Sequence, residues 1–420
     1  MNIKKISFHR LKLRLILILA IIGPGLITAV ADNDAGGIAT YTVGAALFGM
    51  SSQFLIIPTT LLLGATQELG TRLALVTGKG LGDLIRERYG IRISVLIFSL
   101  YFIVNQGVVL QNISGLKSAL RLLNFPPISL VLLCLIIVFV VIKFNYEKLQ
   151  KIFLFLLLFY VSYIISAFMS KPNWQEAFYN SIVSPKLEYI KDIKYWFAMV
   201  SILGTTITAW GQFFINSYVK DKRLTMKHHR ISRIEAYVGA IITNFFSWML
   251  AMAVTYTIFV HNIKVTDGFT AALAIKPLLG DLSYILFALG LFGASVLGLV
   301  IVPLATAYVF AEFFGYEGSL DVSFSRAKQY YSIFLIQVAI ALVITLFPST
   351  NLFGLTLYVD YLNGAMLPVI LFFIIKFTEN KALMGKYVSR GPVAIFVRVA
   401  AIVLTIVVVS TFIGSLIGLG

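Results

Sequence analysis

Apolar runs of roughly 20 residues, the length a helix needs to cross about 30 Å of hydrocarbon, recur along this chain from one end to the other. A soluble fold has too little interior to hide so many of them, so most of the chain is expected to lie in a bilayer. Composition agrees: 59% of the 420 residues are hydrophobic and 12% are charged, against about 25% charged in soluble domains, and the mean hydropathy is +0.92. Hydropathy divides the chain into eleven helical spans, at approximately 13–48, 52–77, 92–121, 127–144, 150–170, 195–219, 234–261, 281–313, 329–347, 354–377 and 393–418. The expected fold class is an all-α, multi-pass membrane protein in one transmembrane domain.

The net charge of +16 does not indicate a nucleic-acid partner, because the basic residues sit in short loops between spans. With the N-terminus inside, the loops on its side hold Lys79, Arg86, Arg88 and Arg92, then Lys143, Lys148 and Lys151. They continue with Lys220, Lys222, Arg223, Lys227, Arg230 and Arg233, and later Lys376, Lys381, Lys386 and Arg390. By the positive-inside rule this bias predicts a cell-membrane protein with a cytoplasmic N-terminus and an outside C-terminus. The basic start of the chain, Lys4 to Arg14, leads into an apolar stretch that runs past Gly23-Pro24-Gly25, which reads as a retained first span with no cleavage site. The single cysteine, Cys134, lies mid-span and reads as a small buried hydrophobe. No HExxH pair, nucleophile elbow or phosphate loop is present, so an enzyme is not expected.

Two spans are interrupted in ways that a plain anchor does not need. The first passes from Gly23-Pro24-Gly25 to Ala31-Asp32-Asn33-Asp34-Ala35-Gly36-Gly37, two carboxylates beside a glycine pair at membrane depth. The sixth holds Gly204-Thr205-Thr206-Ile207-Thr208-Ala209-Trp210-Gly211-Gln212, a polar patch flanked by glycine. Breaks five spans apart are the arrangement of inverted-repeat transporters, in which broken helices meet at the midplane and bind substrate between them. The expected units are a first repeat over 1–170, a second over 195–377 and an eleventh helix over 393–418.

At these residues the chain resembles the NRAMP family of divalent-metal transporters, and the likeness covers nearly its whole length. GPGLITAVADNDAGGIATYTVGAALFG is similar to the family's opening span with its Asp-Pro-Gly-Asn motif, and RLALVTGKGLGDLIRERYG to the loop after span two. FALGLFGASVLGLVIVPLATAYVFAEFF resembles span eight, and LPVILFFIIKFTENKALMGKY resembles span ten with the loop that follows. The resemblance implies a LeuT-type fold with an extra eleventh helix. It also implies departures: the motif reads Asp34-Ala35-Gly36-Gly37, and the family's Met-Pro-His aligns with Thr208-Ala209-Trp210. Thioether, imidazole and Asn ligands are thereby lost while Asp34 is kept. Soft ligands select transition metals, whereas Mg²⁺ takes hard oxygens and keeps several waters, so the pattern resembles the NRAMP-related magnesium transporters. The family's acidic proton carriers in span three align with Phe102, Val109 and Asn112, none of which titrates usefully.

The expected substrate is therefore Mg²⁺, with Mn²⁺ tolerated, carried by alternating access without proton coupling, and with no cofactor. The metal-binding candidates are Asp34, Asp32, Ala31, Gly37, Thr205, Thr208 and Asp360; the cavity-lining candidates are Asn33, Thr206, Ala209, Trp210, Gln212 and Asn363. Threonine hydroxyls within spans bond their own helix more often than an ion, and Trp210 either walls the cavity or packs. His9, His228, His229 and His261 read as solvated tail, loop or span-end residues. Besides the ion and the bilayer no partner is expected, and the chain is expected to be a monomer. Two alternatives remain: a proton-coupled Mn²⁺/Fe²⁺ importer, and an organic-solute carrier of amino-acid type on the same fold.

Overall fold

The structure is a computed structural model that describes residues 33–143, 155, 160–183, 185–266, 268, 270–272, 280–319, 321–347 and 350–417. The expectations for Gly23-Pro24-Gly25, Ala31, Asp32 and His9 lie outside the described residues. The first half of the chain supplies α1 (Ala35–Phe48), α2 (Ile56–Thr77), α3 (Leu81–Leu122), α4 (Ile128–Lys143) and α5 (Val161–Met169). Two short helices, α6 (Trp174–Ile182) and α7 (Leu187–Lys191), lead to α8 (Ile193–Thr206) and α9 (Ala209–Asp221). The remainder is α10 (His229–Val254), α11 (Asp281–Phe314), α12 (Lys328–Leu346), α13 (Leu352–Thr378), α14 (Lys381–Met384) and α15 (Pro392–Leu416).

Among the described residues seven helices are long and apolar enough to cross a bilayer, α8 and α9 together forming one of them. An eighth arises if α1 with its 3-10 extension to Gln53 is joined to α2 across a 92° bend. The spans expected at 281–313, 329–347, 354–377 and 393–418 coincide with α11, α12, α13 and α15 to within two residues at each end. Three segments differ from expectation. Residues after Lys79 are helical from Leu81, because Asp83 turns back to accept from the Gly80 N–H at 3.0 Å, and Gly90, at φ 76°, redirects the same helix into the membrane. The connection after span five carries α6, started by the Asn173 side chain accepting from Glu176 N–H, and α7. Span seven begins at His229 instead of 234.

Small residues set the central packing. A side chain on Gly298 of α11 would overlap Asn112 of α3, and one on Gly115 of α3 would meet Ala35 and Ser295. The start of α1 is therefore held against α3 and α11 with no room between them. Cys134 is buried, as its apolar setting predicts.

Candidate functional site

The site is built on two helix ends. Asp34 has extended backbone (φ −66°, ψ −168°) and caps α1, its Oδ1 accepting from Gly37 N–H at 3.1 Å. A carboxylate there answers the unpaired N–H groups and positive dipole end of the helix. Asn112 of α3 grips the same turn twice: its Nδ2 donates to Asp34 Oδ2 at 2.6 Å, and its Oδ1 accepts from Ala35 N–H at 3.2 Å. Gly36 has no room for a side chain because Gln111 lies against it. Asn33 donates to Thr243 O at 3.1 Å and Ser247 Oγ at 2.5 Å on α10, while Tyr160 OH donates to Asn33 O at 2.7 Å. Asp34 is 3% exposed.

The second end is the break in span six. Ile207 (φ −114°, ψ 78°) and Thr208 (φ −73°, ψ 147°) leave helical geometry, ending α8 and starting α9. The Thr208 hydroxyl accepts from Gly211 N–H at 3.0 Å as a cap, and Ala209 N–H donates to Asn363 Oδ1 on α13 at 2.8 Å. Thr206 donates to Ile202 O at 2.6 Å within its own helix and shares a 2.7 Å contact with Tyr41 OH. Thr205 is buried in the last turn of α8. A side chain on Gly204 would run into the Asp360 carbonyl and the Gly364 backbone, so α8 and α13 touch backbone to backbone just above the break. Gln212 and Trp210 are fully buried; both amide atoms of Gln212, Trp210 Nε1 and Asn363 Nδ2 have no hydrogen-bond partner among the described residues. Unpaired buried polar atoms are costly, and four of them lie at or near this break.

Asp360 is 1% exposed. Its Oδ2 accepts from Thr40 Oγ1 at 2.5 Å and from Thr356 Oγ1 at 3.5 Å. Thr40 lies six residues beyond Asp34, about 9 Å along α1 by helical rise, so Asp360 meets α1 at a different level from Asp34. Among the described residues no three His, Cys, Asp or Glu side chains converge as a metal-holding group. The structure thus gathers Asp34, Gly37 and Asn112 at one end and Thr208, Ala209 and Asn363 at the other, and gives Asp360 threonine partners of its own.

Two features escaped the sequence reading. Asn112 was weighed only as a replaced proton carrier, though a lone amide in an apolar span is itself a sign of a buried partner. His229 is not a solvated loop residue: its Nε2 lies 3.0 Å from Glu68 Oε1, which Arg72 also approaches at 3.3 Å. Its sequence neighbours are polar, and only the folded chain brings α2 beside it. His228 stays exposed and turns back on Thr225, and His261 Nδ1 lies 2.7 Å from Thr257 O at its span end.

Along α9, eleven residues from Ala209 and therefore roughly 16 Å away, Lys220 and Glu312 border a cavity of about 540 Å³. Lys220 Nζ pairs with Asp83 Oδ2 at 2.5 Å, Glu312 Oε2 accepts from Gly82 N–H at 3.0 Å, and Tyr308 OH donates to Asp221 at 3.0 Å. These contacts tie α9 and α11 to the start of α3.

Known proteins resemble this chain in sequence and in fold. The chain is 25% identical to the divalent metal cation transporter MntH of Staphylococcus aureus over 94% of its own length and 92% of that protein. It is 23% identical to natural resistance-associated macrophage protein 2 homolog of Dictyostelium discoideum over 95% of its length, and spans 63% of that longer protein. Among solved structures, the Eremococcus coleocola manganese transporter superposes with a TM-score of 0.77 at 17% identity, covering 95% of this chain and 88% of that one. MhsT, solved with L-phenylalanine, gives 0.61 at 15% identity, covering 93% and 97%, which places the chain in the LeuT-type fold. Residues 25–414 match the Nramp family, described as natural resistance-associated macrophage protein-like. With that match over nearly the whole chain, and with Asp34 capping one helix and span six broken at Ile207–Thr208, the chain belongs to the NRAMP family of membrane transporters.

Proposed function

We propose that this transporter carries a divalent metal cation, with Mg²⁺ as its preferred substrate and Mn²⁺ accepted, by alternating access and without proton coupling. The observation that carries the reading is the donor set at the two breaks: the capped carboxylate Asp34 at one and Thr208, Ala209 and Trp210 at the other, with no sulfur or imidazole among the described residues of either. Mg²⁺ gives up its waters reluctantly and is bound through one or two carboxylates while keeping the rest. The waters of a hydrated ion donate hydrogen bonds, and Gln212 Oε1, which has no partner among the described residues, can accept one. The carbonyls of Ala31 and Thr205 and the carboxylate of Asp32 complete the proposed ligand set, with Asp360 bordering the path through Thr40.

Asn112 holds Asp34 through a hydrogen bond and has no proton to pass on, so the driving force in this reading is the membrane potential. A divalent ion gains about 4.6 kcal/mol per 100 mV on entering a negative interior. In this reading the N-terminus is cytoplasmic, so the cavity at Lys220 and Glu312 lies on the release side. Residues 1–170 and 195–377 are in this reading two inverted repeats. The second reading is a proton-coupled Mn²⁺/Fe²⁺ importer, whose metal agrees with the manganese named for the Eremococcus coleocola transporter. The test is uptake into proteoliposomes with a pH dye inside and an imposed negative potential. Mg²⁺ entry that follows the potential with lumen pH unchanged supports the proposal; acidification in step with metal entry overturns the uncoupled mechanism.

A further inference from the structure

Two adjoining cavities lie on the flank of the bundle, away from both breaks. The first, about 320 Å³, is a cleft between α2, α8 and α15, walled by Leu62, Met199, Val200, Leu203, Val403 and Leu404. The second, about 400 Å³, opens at its end and is bordered by Lys191, Ser410 and Thr411. Trp196 and Val407 line both, so the two adjoin along these side chains. The combined shape is an apolar slot that ends in a cation and two hydroxyl-bearing residues.

The geometry points to a binding site for one phospholipid with an anionic headgroup, its acyl chain in the cleft and its phosphate at Lys191. Its surroundings favour a lipid over a second copy of the chain. One turn of a helix about 10–12 Å across takes up roughly 400–600 Å³, more than the cleft's volume of about 320 Å³. Val403 is 53% exposed, so the cleft opens sideways to the bilayer. Trp196 donates through Nε1 to Ile190 O at 2.8 Å, the posture of an interfacial tryptophan with a polar tip and an apolar body. Lys191, on the outer side in the topology proposed above, offers a positive charge to the phosphate of a headgroup.

The site touches the transport machinery through α8. Leu203 O accepts from Ile207 N–H at 2.8 Å, the last helical bond before the break, and the Val200 carbonyl lies against Gly364. An acyl chain in the cleft therefore braces the helix that ends at Thr208.

The test is native mass spectrometry of the purified full chain with phosphatidylglycerol or phosphatidylcholine, a readout that does not depend on which ion is carried. The wild type is expected to retain one phosphatidylglycerol in preference to phosphatidylcholine. Val403→Trp, which fills the cleft from an exposed position, is expected to lose both lipids. Lys191→Ala is expected to keep the acyl contact and lower the preference for phosphatidylglycerol by about fivefold, the contribution of one lysine near a charged surface. Equal retention of the two lipids by the wild type, undiminished retention by Val403→Trp, or a dimer that binds no lipid would each overturn the assignment.

Discussion

The two helix breaks are bonded in different ways. At the first, Asn33 reaches α10, Asp34 is held by Gly37 and Asn112, and Tyr160 closes on the Asn33 carbonyl, while Gln111 Oε1 beside Gly36 has no partner among the described residues. At the second, the backbone is secured by Thr208 and Asn363, yet Gln212, Trp210 and one nitrogen of Asn363 are left unpaired. One end supplies a fixed charge and the other supplies unspent polar atoms. A partly hydrated cation needs both, a carboxylate to offset its charge and neutral groups to receive its waters. A fully dehydrated soft metal would need neither of the second kind.

Substitutions that break this asymmetry at its charged end should have the largest effects. Asp34→Asn keeps the cap geometry and removes the charge; uptake of Mg²⁺ and Mn²⁺ in proteoliposomes is expected to fall by more than the roughly 100-fold that loss of a supporting partner costs a metal site. Asn112→Leu removes such a supporting partner, and a fall of about 10–100-fold in metal affinity is expected from uptake titrations. At the other end, Gln212→Leu removes two unpaired buried atoms. Transport should weaken by about tenfold while the melting temperature holds or rises, since an apolar group no longer carries an unmet hydrogen-bonding demand. A fall in melting temperature with transport intact would assign Gln212 a structural role instead. The smallest effect is expected from Thr208→Ala, a lost helix cap costing about 1 kcal/mol in denaturant unfolding.

The positions of spans eight to eleven were legible because bilayer crossing imposes a length and a composition that hydropathy reads directly. The break at Ile207–Thr208 was legible for a related reason: Thr, Gly and Gln in a row have no business inside an apolar helix unless the helix stops. What the sequence could not disclose was pairing between distant segments. Asn112 and Asp34 are 78 positions apart, and nothing local to either names the other. Asp360 was expected near the ion because it is an acid at membrane depth; its threonine partners, Thr40 and Thr356, become visible only when α1 and α13 are packed together. The helix from Leu81 to Tyr89 was hidden by Gly80, Gly82 and Gly90, which look like loop residues but here serve as cap, close contact and bend.

The hydrated-ion account stands or falls on competition at the site. Radiolabelled Mn²⁺ uptake into proteoliposomes, measured with a hundredfold excess of Mg²⁺ or of Ca²⁺ outside, tests it most directly. The account predicts that Mg²⁺ suppresses Mn²⁺ entry and itself accumulates in the lumen, while Ca²⁺ does neither. Mn²⁺ uptake unaffected by excess Mg²⁺ would contradict it.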